Sequence, residues 1–242
     1  MSFKRLLLFL AFPALFTFVS CATFVSLDTS VAAGDLARLK MKSYPSFKGV
    51  GSLKLRGMGS SFAGLMALAI DAGKYRIEIY DAVGRTVFAG GGAPGKMIRI
   101  DPNTGEREEL TGKRAEVAEF EGFRVPIASL KSIVYGAPPG FNAITSFEER
   151  NGKRIVKTTG PEMEIVYSSQ VEKIRLIPPG EEEDEEVIII VGRLAPGPIG
   201  PYAKVAHMDF GGGAFTLDIK WEKVRQGVKF SEGFFTFDEA LE

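Results

Sequence analysis

Short runs in which apolar and polar residues alternate constrain this chain more than any other feature. In Gly49–Met58 two leucines alternate with Lys54 and Arg56, and Tyr75–Asp81 repeats the pattern. Runs with a period of two, separated by Gly and Asp, are typical of antiparallel strands joined by short turns. About eleven or twelve such runs follow one another, which predicts one curved sheet or barrel. With 242 residues the chain is long enough to bury a core of its own.

A few helices are expected among the strands. Thr29 or Ser30 begins a weak helical pattern that runs to about Lys42, and Glu106–Glu121 is charged and contains alanine, which favours a helix. Ile127–Tyr135 has the clearest apolar stripe, with Pro126 before it and Gly136 after it. Further on, Asn151-Gly152 between two alternating runs predicts a hairpin.

The N-terminus has the pattern of an export signal. Met1–Arg5 carries two positive charges, and the uncharged apolar run Leu6–Val19 is too short to span a bilayer. The stretch that ends it, Phe18-Val19-Ser20-Cys21, resembles the bacterial lipobox. That resemblance implies that Cys21 is lipidated, with acyl chains such as palmitate, after removal of residues 1–20. The alternative is a cleaved signal followed by an unmodified cysteine.

After the signal peptide, the chain is predicted to consist of a short tether and one domain. Residues 21–30 form the predicted lipidated tether, and 31–242 form one domain. Without Lys4 and Arg5, 28 basic residues face 30 acidic ones, and no clustered basic face indicates nucleic acid. A single cysteine leaves no disulfide, and no uncharged apolar run after it reaches a membrane-spanning length, so attachment to a membrane is expected to rest on Cys21.

Three stretches look chemical at first. Gly90–Lys96 reads G-G-G-A-P-G-K, but Met97 follows where a phosphate loop needs Ser or Thr, so a hairpin is predicted. The acidic run Glu181–Glu186 indicates a solvated loop, with metal or partner docking left open. His207 is the only histidine and has no visible catalytic partners. The sequence therefore predicts no enzyme, no metal site and no cofactor.

What remains is apolar surface. Phe62–Ile70 is apolar on both faces of its strand. This indicates either an ordinary filled core or an apolar cavity inside a curved sheet, and the sequence leaves both open. If there is a cavity, the residues expected to line it are Leu65, Leu68, Ile77, Ile79, Leu130 and Ile133.

Two blocks resemble a known family. Lys74–Gly84, KYRIEIYDAVG, and Val125–Pro138, VPIASLKSIVYGAP, resemble stretches of LolB, the outer-membrane lipoprotein receptor. With the strand Gly49–Arg56, the similarity covers about half of the mature chain. Val83 takes the position of the family's exposed apolar loop residue, and Ala22 is compatible with outer-membrane sorting.

The resemblance implies a mainly β fold: a half-open antiparallel β-barrel of about eleven strands with helices covering its mouth. It implies that the cavity binds lipoprotein acyl chains, that the partners include a LolA-like carrier, and that the protein faces the periplasm from the outer membrane, as an expected monomer. The alternative is a lipid-binding, partner-binding or sensing lipoprotein of the same fold that inserts no cargo.

Overall fold

The computed structural model describes residues 44–57, 59–93, 95–120, 123–138, 142–160, 162–168, 170–177, 186–192 and 194–238. The predicted signal peptide, Cys21, the tether and the predicted helix that ends at Lys42 lie outside these residues. The first five residues of the acidic run Glu181–Glu186 lie outside them as well.

Seventeen strands make up most of the described chain. Their bounds are β1 Phe47–Gly57, β2 Ser60–Asp71, β3 Lys74–Asp81, β4 Thr86–Ala93, β5 Lys96–Ile100, β6 Arg107–Thr111, β7 Val117–Phe120, β8 Phe123–Pro126, β9 Ala143–Arg150, β10 Lys153–Thr159, β11 Glu162–Tyr167, β12 Val171–Ile177, β13 Val187–Val191, β14 Leu194–Ala195, β15 Tyr202–Ala203, β16 Val205–Phe210 and β17 Phe215–Gln226. Thirteen form one antiparallel sheet in the order β6-β5-β4-β3-β2-β1-β17-β16-β13-β12-β11-β10-β9, and β7 pairs with β8 and β14 with β15.

The mainly β prediction with one large antiparallel sheet is confirmed, but the details differ. The sheet has thirteen strands where about eleven were expected. It is open, because β6 and β9 form its two edges and do not pair with each other. One α-helix of six residues, α1 Leu130–Tyr135, occurs in the described ranges, so a mouth covered by helices is not confirmed.

Helix α1 follows the predicted start and stop signals. A 3-10 turn, Ile127–Ser129, leads into it after Pro126, and Gly136 ends it with φ of 61°. A left-handed residue is the usual helix stop, and glycine adopts it without strain. Over the described residues, no helix is long and apolar enough to cross a membrane. The Asn151-Gly152 hairpin is confirmed, since both residues have the positive φ that its turn type requires.

The predicted helix over Glu106–Glu121 is wrong. The segment forms β6, a 3-10 turn at Gly112–Glu116, and β7. Its carboxylates pair across strands instead of along a helix: Glu109 reaches Lys96 at 3.0 Å and Glu108 reaches Arg99 at 2.5 Å. Cross-strand and helical pairing both satisfy the same charges, so the charge pattern alone does not separate them.

The two faces of the sheet are covered by different elements. We call the face against α1 the inner face and the opposite face the outer face. The segment 228–238, called the C-terminal strap below, lies on the outer face, where Phe234 and Phe235 pack against Ala69. Helix α1 lies over the inner face of β2, and the strap lies over its outer face. For this reason all five residues of Met66–Ile70 are buried.

The sequence of Gly233–Phe237 predicts a strand, but this is wrong, because Phe234–Thr236 forms a 3-10 turn. The adjacent Phe234 and Phe235 are both buried, which an alternating strand with one exposed face does not give. The strap approaches β4 so closely that a Cβ on Gly91 would lie 2.6 Å from the carbonyl oxygen of Phe235. Glycine is therefore required at this contact.

Candidate functional site

The space beneath helix α1 is wholly apolar but nearly filled. The void there has a volume of about 10 Å³, close to what a single water requires. It is lined by Leu53, Met66, Ile77, Ile79, Ala118, Val125, Leu130, Ile133, Leu217 and Ile219. The strands and α1 thus meet over an apolar seam that is closed in this structure.

Four of the six residues expected to line a cavity lie together around this void: Ile77, Ile79, Leu130 and Ile133. Leu68 is buried on the same face, outside the void lining. Leu65 lies instead on the outer face and is 41% exposed. The reason is the strand period: residues three apart in a strand point to opposite faces, so Leu65 and Leu68 do not share a cavity.

Helix α1 is fastened mainly at its C-terminal end. The Tyr135 hydroxyl donates to the carbonyl oxygen of Pro45, and its ring stacks on Tyr44 with centroids 4.7 Å apart. The Ser132 hydroxyl donates to the carbonyl oxygen of Ala137 at 2.7 Å. Burial raises the pKa of Tyr135 well above its usual value, so the phenol stays a donor. Leu130 and Ile133, the residues over the void, are held by apolar packing.

Val83 lies at the tip of the turn between β3 and β4, where its side chain is 77% exposed. The Asp81 carboxylate fixes this turn by accepting bonds from the backbone N–H of Val83 at 3.0 Å and of Arg85 at 2.8 Å. The bond from the Arg85 N–H is the main cause that holds the pKa of Asp81 below its usual range. The turn therefore presents one large apolar side chain, Val83, to solvent on an ordered base.

The remaining sequence motifs have structural roles, in a hairpin and in side-chain pairs between strands. Gly90–Lys96 belongs to the β4–β5 hairpin, as predicted. His207 pairs across strands with Asp218, Nδ1 to Oδ1 at 2.8 Å, on the outer face. Glu186, the described end of the acidic run, pairs with Arg175. Among the described residues no group of three His, Cys, Asp or Glu side chains is placed to hold a metal.

A second cavity was missed by sequence reasoning. It lies beside β4, β5 and β6, has a volume of about 160 Å³, and is lined by Phe88, Met97, Arg99, Leu110, Lys113, Arg114, Val117 and Glu119. The signal was present in β5, where Met97 and Arg99 share one face. The helix predicted over Glu106–Glu121 concealed the turn that brings Lys113 and Arg114 to the same place.

Comparison with known proteins gives structural relatives only. No protein-family model matches the sequence, and no curated protein matches it. A domain described as an outer-membrane lipoprotein-sorting protein from Vibrio parahaemolyticus aligns with a TM-score of 0.60 at 12% identity, over 84% of this chain and 94% of that one. A DUF1329 family protein from Desulfovibrio piger gives 0.60 at 11%, over 86% and 97%.

A third solved structure is similar in fold. A LolA superfamily protein from Nitrosomonas europaea aligns with a TM-score of 0.59 at 9% identity, over 85% of this chain and 98% of that one. Identities this low compare folds and not activities. The open antiparallel sheet of this chain thus resembles the fold of these three proteins, one of which is described as a LolA superfamily protein.

Proposed function

We propose that this chain binds the acyl chains of lipoproteins between its inner face and helix α1, and receives or inserts them at the outer membrane. The observation that carries the proposal is the seam beneath α1, whose ten lining side chains are all apolar. The shared fold with a protein described as lipoprotein-sorting supports the same cargo. Cys21 is proposed to anchor the protein, as a monomer facing the periplasm.

Binding requires the seam to open, because about 10 Å³ holds no acyl chain. Lifting Leu130 and Ile133 off the sheet costs about 3–6 kcal/mol if both side chains become exposed. A single acyl chain that moves ten methylenes out of water into the seam gains about 8 kcal/mol. An acyl chain is therefore able to open the seam that water leaves closed. The short length of α1 and its fastening at one end favour such a movement.

The test of this function is depletion of the protein in its own cell, followed by fractionation of the lipoproteins. We expect lipoproteins destined for the outer membrane to accumulate elsewhere. Acyl-bearing molecules should also co-purify with the protein. Correct lipoprotein sorting after depletion, with lipid still co-purifying, would instead support the alternative of a lipid-binding lipoprotein without insertion activity.

The anchor is tested by Cys21→Ala. We expect this variant to remain uncut or soluble, because the thiol that accepts the lipid is gone and one residual apolar contact does not hold a domain at a membrane. Mass spectrometry of the membrane fraction should show an acylated N-terminal peptide in the unaltered protein. An unmodified Cys21 in that fraction contradicts the anchor.

The exposed turn is tested by Val83→Glu. A change at an exposed tip should alter the free energy of unfolding by no more than about 0.5 kcal/mol. Incorporation of a lipoprotein into vesicles should fall, because Val83 would contact the bilayer where the acyl chains leave. One valine contributes on the order of 1.5 kcal/mol, which guides a chain but does not anchor the protein.

The matched control is Ile199→Glu. Ile199 is also exposed, at 61%, but it lies beside Gln226, at the end of the sheet opposite to the Val83 turn. We expect Ile199→Glu to leave incorporation unchanged. Equal incorporation by the unaltered protein and Val83→Glu would remove the insertion role of this turn, and an unfolded Val83→Glu would show that Val83 has a structural role.

A further inference from the structure

The second cavity combines an apolar floor with a cationic rim, and we call it the basic pocket. Phe88, Met97 and Leu110 are nearly fully buried and form the floor on the inner face of β4, β5 and β6. Arg99 lies on β5, and Lys113 and Arg114 lie on the 3-10 turn after β6. Its 160 Å³ is below the roughly 300 Å³ of pockets for drug-sized ligands, so it takes part of a larger molecule.

Both arginines of the rim bond to Glu108. Its Oε2 accepts from Arg99 Nη2 at 2.5 Å, and its Oε1 accepts from Arg114 Nη2 at 2.8 Å. A guanidinium carries five N–H donors, so each arginine keeps donors for a ligand after this bond. The carboxylate thus brings two guanidinium groups to the same rim, and guanidinium groups recognise carboxylate and phosphate groups.

The charge of the basic pocket is positive overall. Arg99, Lys113 and Arg114 face two carboxylates, Glu108 and Glu119, which leaves one positive charge in excess. In the described part of the chain Lys113 forms no ion pair, and its side chain is exposed at the rim. A ligand with one negative charge would neutralise this excess positive charge. An apolar floor beneath a cationic rim calls for an apolar segment directly attached to that charge.

We propose that the basic pocket binds the anionic head and adjoining methylenes of a lipid, a carboxylate or a phosphate on an acyl chain. The proposal rests on the proposed function only in that both concern lipid. The site is separate, since none of its lining residues lines the void beneath α1. A free fatty acid and a membrane phospholipid both present this chemistry, and the experiment distinguishes them.

The test is photo-crosslinking of the full chain in neutral phosphatidylcholine vesicles. The probes are a diazirine fatty acid, the diazirine alcohol of the same length, and a diazirine phosphatidylglycerol. Mass spectrometry of the cross-linked peptides identifies the site. We expect both anionic probes, or one of them, to label residues 97–117, and the alcohol to label them about tenfold less, because a charge-assisted hydrogen bond is lost. Labelling by only one anionic probe identifies the source of the ligand.

Lys113→Glu should reduce labelling of the basic pocket about tenfold. The matched control, Lys204→Glu, reverses the same charge at an exposed position in the other half of the sheet and should leave labelling unchanged. Val117→Phe fills the pocket without changing its charge, and should reduce labelling by at least as much. Thermal melts show whether Lys113→Glu and Val117→Phe fold. If one of them does not, the labelling of the other tests the proposal.

Two outcomes overturn this proposal alone. One is equal labelling of residues 97–117 by the alcohol and the anionic probes, which removes the role of the charge. The other is labelling confined to the peptides around Ile77 and Ile133, which removes the basic pocket but supports binding beneath α1. Absence of labelling at both places contradicts this proposal and the proposed function together.

Discussion

Arg76→Met is expected to lower the free energy of unfolding by about 3–5 kcal/mol, the loss typical of a broken buried ion pair. Arg76 is 4% exposed, and its Nη2 lies 2.7 Å from Oε1 of Glu78. Its Nη1 donates to the carbonyl oxygen of Phe234 at 2.9 Å, and its guanidinium lies 4.1 Å from the Phe237 ring centroid. The substitution removes a buried polar contact to the strap and leaves the Glu78 carboxylate buried.

The Glu78 carboxylate has one further described donor, the Tyr80 hydroxyl. Burial, and after it the bond to Glu78, raise the pKa of Tyr80 far above its usual value, so this donor persists at any pH the fold survives. One neutral donor does not replace a guanidinium. The double variant Arg76→Met/Glu78→Met should therefore recover part of the loss, because it removes the uncompensated charge.

Arg107→Met is the matched control. Arg107 also holds the strap, through Asp238 at 3.0 Å and the carbonyl oxygen of Thr236, but its side chain is 47% exposed. Exposed ion pairs contribute about 0–1 kcal/mol, so a small loss is expected. Urea unfolding followed by the fluorescence of the buried Trp221 measures both variants. An equal fall in the free energy of unfolding for Arg76→Met and Arg107→Met would mean that burial does not make the Arg76 ion pair more important than an exposed one.

The elements that sequence predicted well are those whose signals are local. The alternating runs of β1 and β3 and the stop of α1 at Gly136 depend on neighbours within a few residues. Asn151-Gly152 likewise fixes its own hairpin. These elements were predicted correctly without knowing which other elements pack against them.

The features that sequence missed depend on distant partners. The choice between helix and strand over Glu106–Glu121 was decided by pairing with Lys96 and Arg99 on β5. The basic pocket exists only because that pairing brings the turn at Lys113 back over β5. The strap covers Ala69, more than a hundred and fifty residues earlier in the chain. Which face of β2 packs against α1 and which against the strap is set by these distant segments. For this reason the sequence alone did not place Leu65 on the outer face.

Ile133→Ala is expected to combine a large loss of stability with a gain of ligand binding. Ile133 is fully buried and lines the void beneath α1. Truncation should lower the free energy of unfolding by about 2–5 kcal/mol, since the removed methylenes leave a larger cavity. If acyl chains enter at this seam, a neutral alkyl chain should occupy the enlarged space and restore part of the loss, about 2.7 kcal/mol at a hundredfold excess over Kd.

The matched control is Ile165→Ala on β11, an equally buried isoleucine of the inner face in the other half of the sheet. Both variants are melted as full chains in neutral phosphatidylcholine nanodiscs, with and without 1-octanol, an uncharged probe that does not engage the basic pocket's cations. We expect a similar fall in Tm for both, with octanol raising the Tm of Ile133→Ala alone. Recovery of both variants would indicate unspecific partition into any cavity. Recovery of neither would place the entry of acyl chains somewhere other than the seam beneath α1, because a chain that lifts Leu130 and Ile133 in the unaltered protein should enter more readily once one of them is removed.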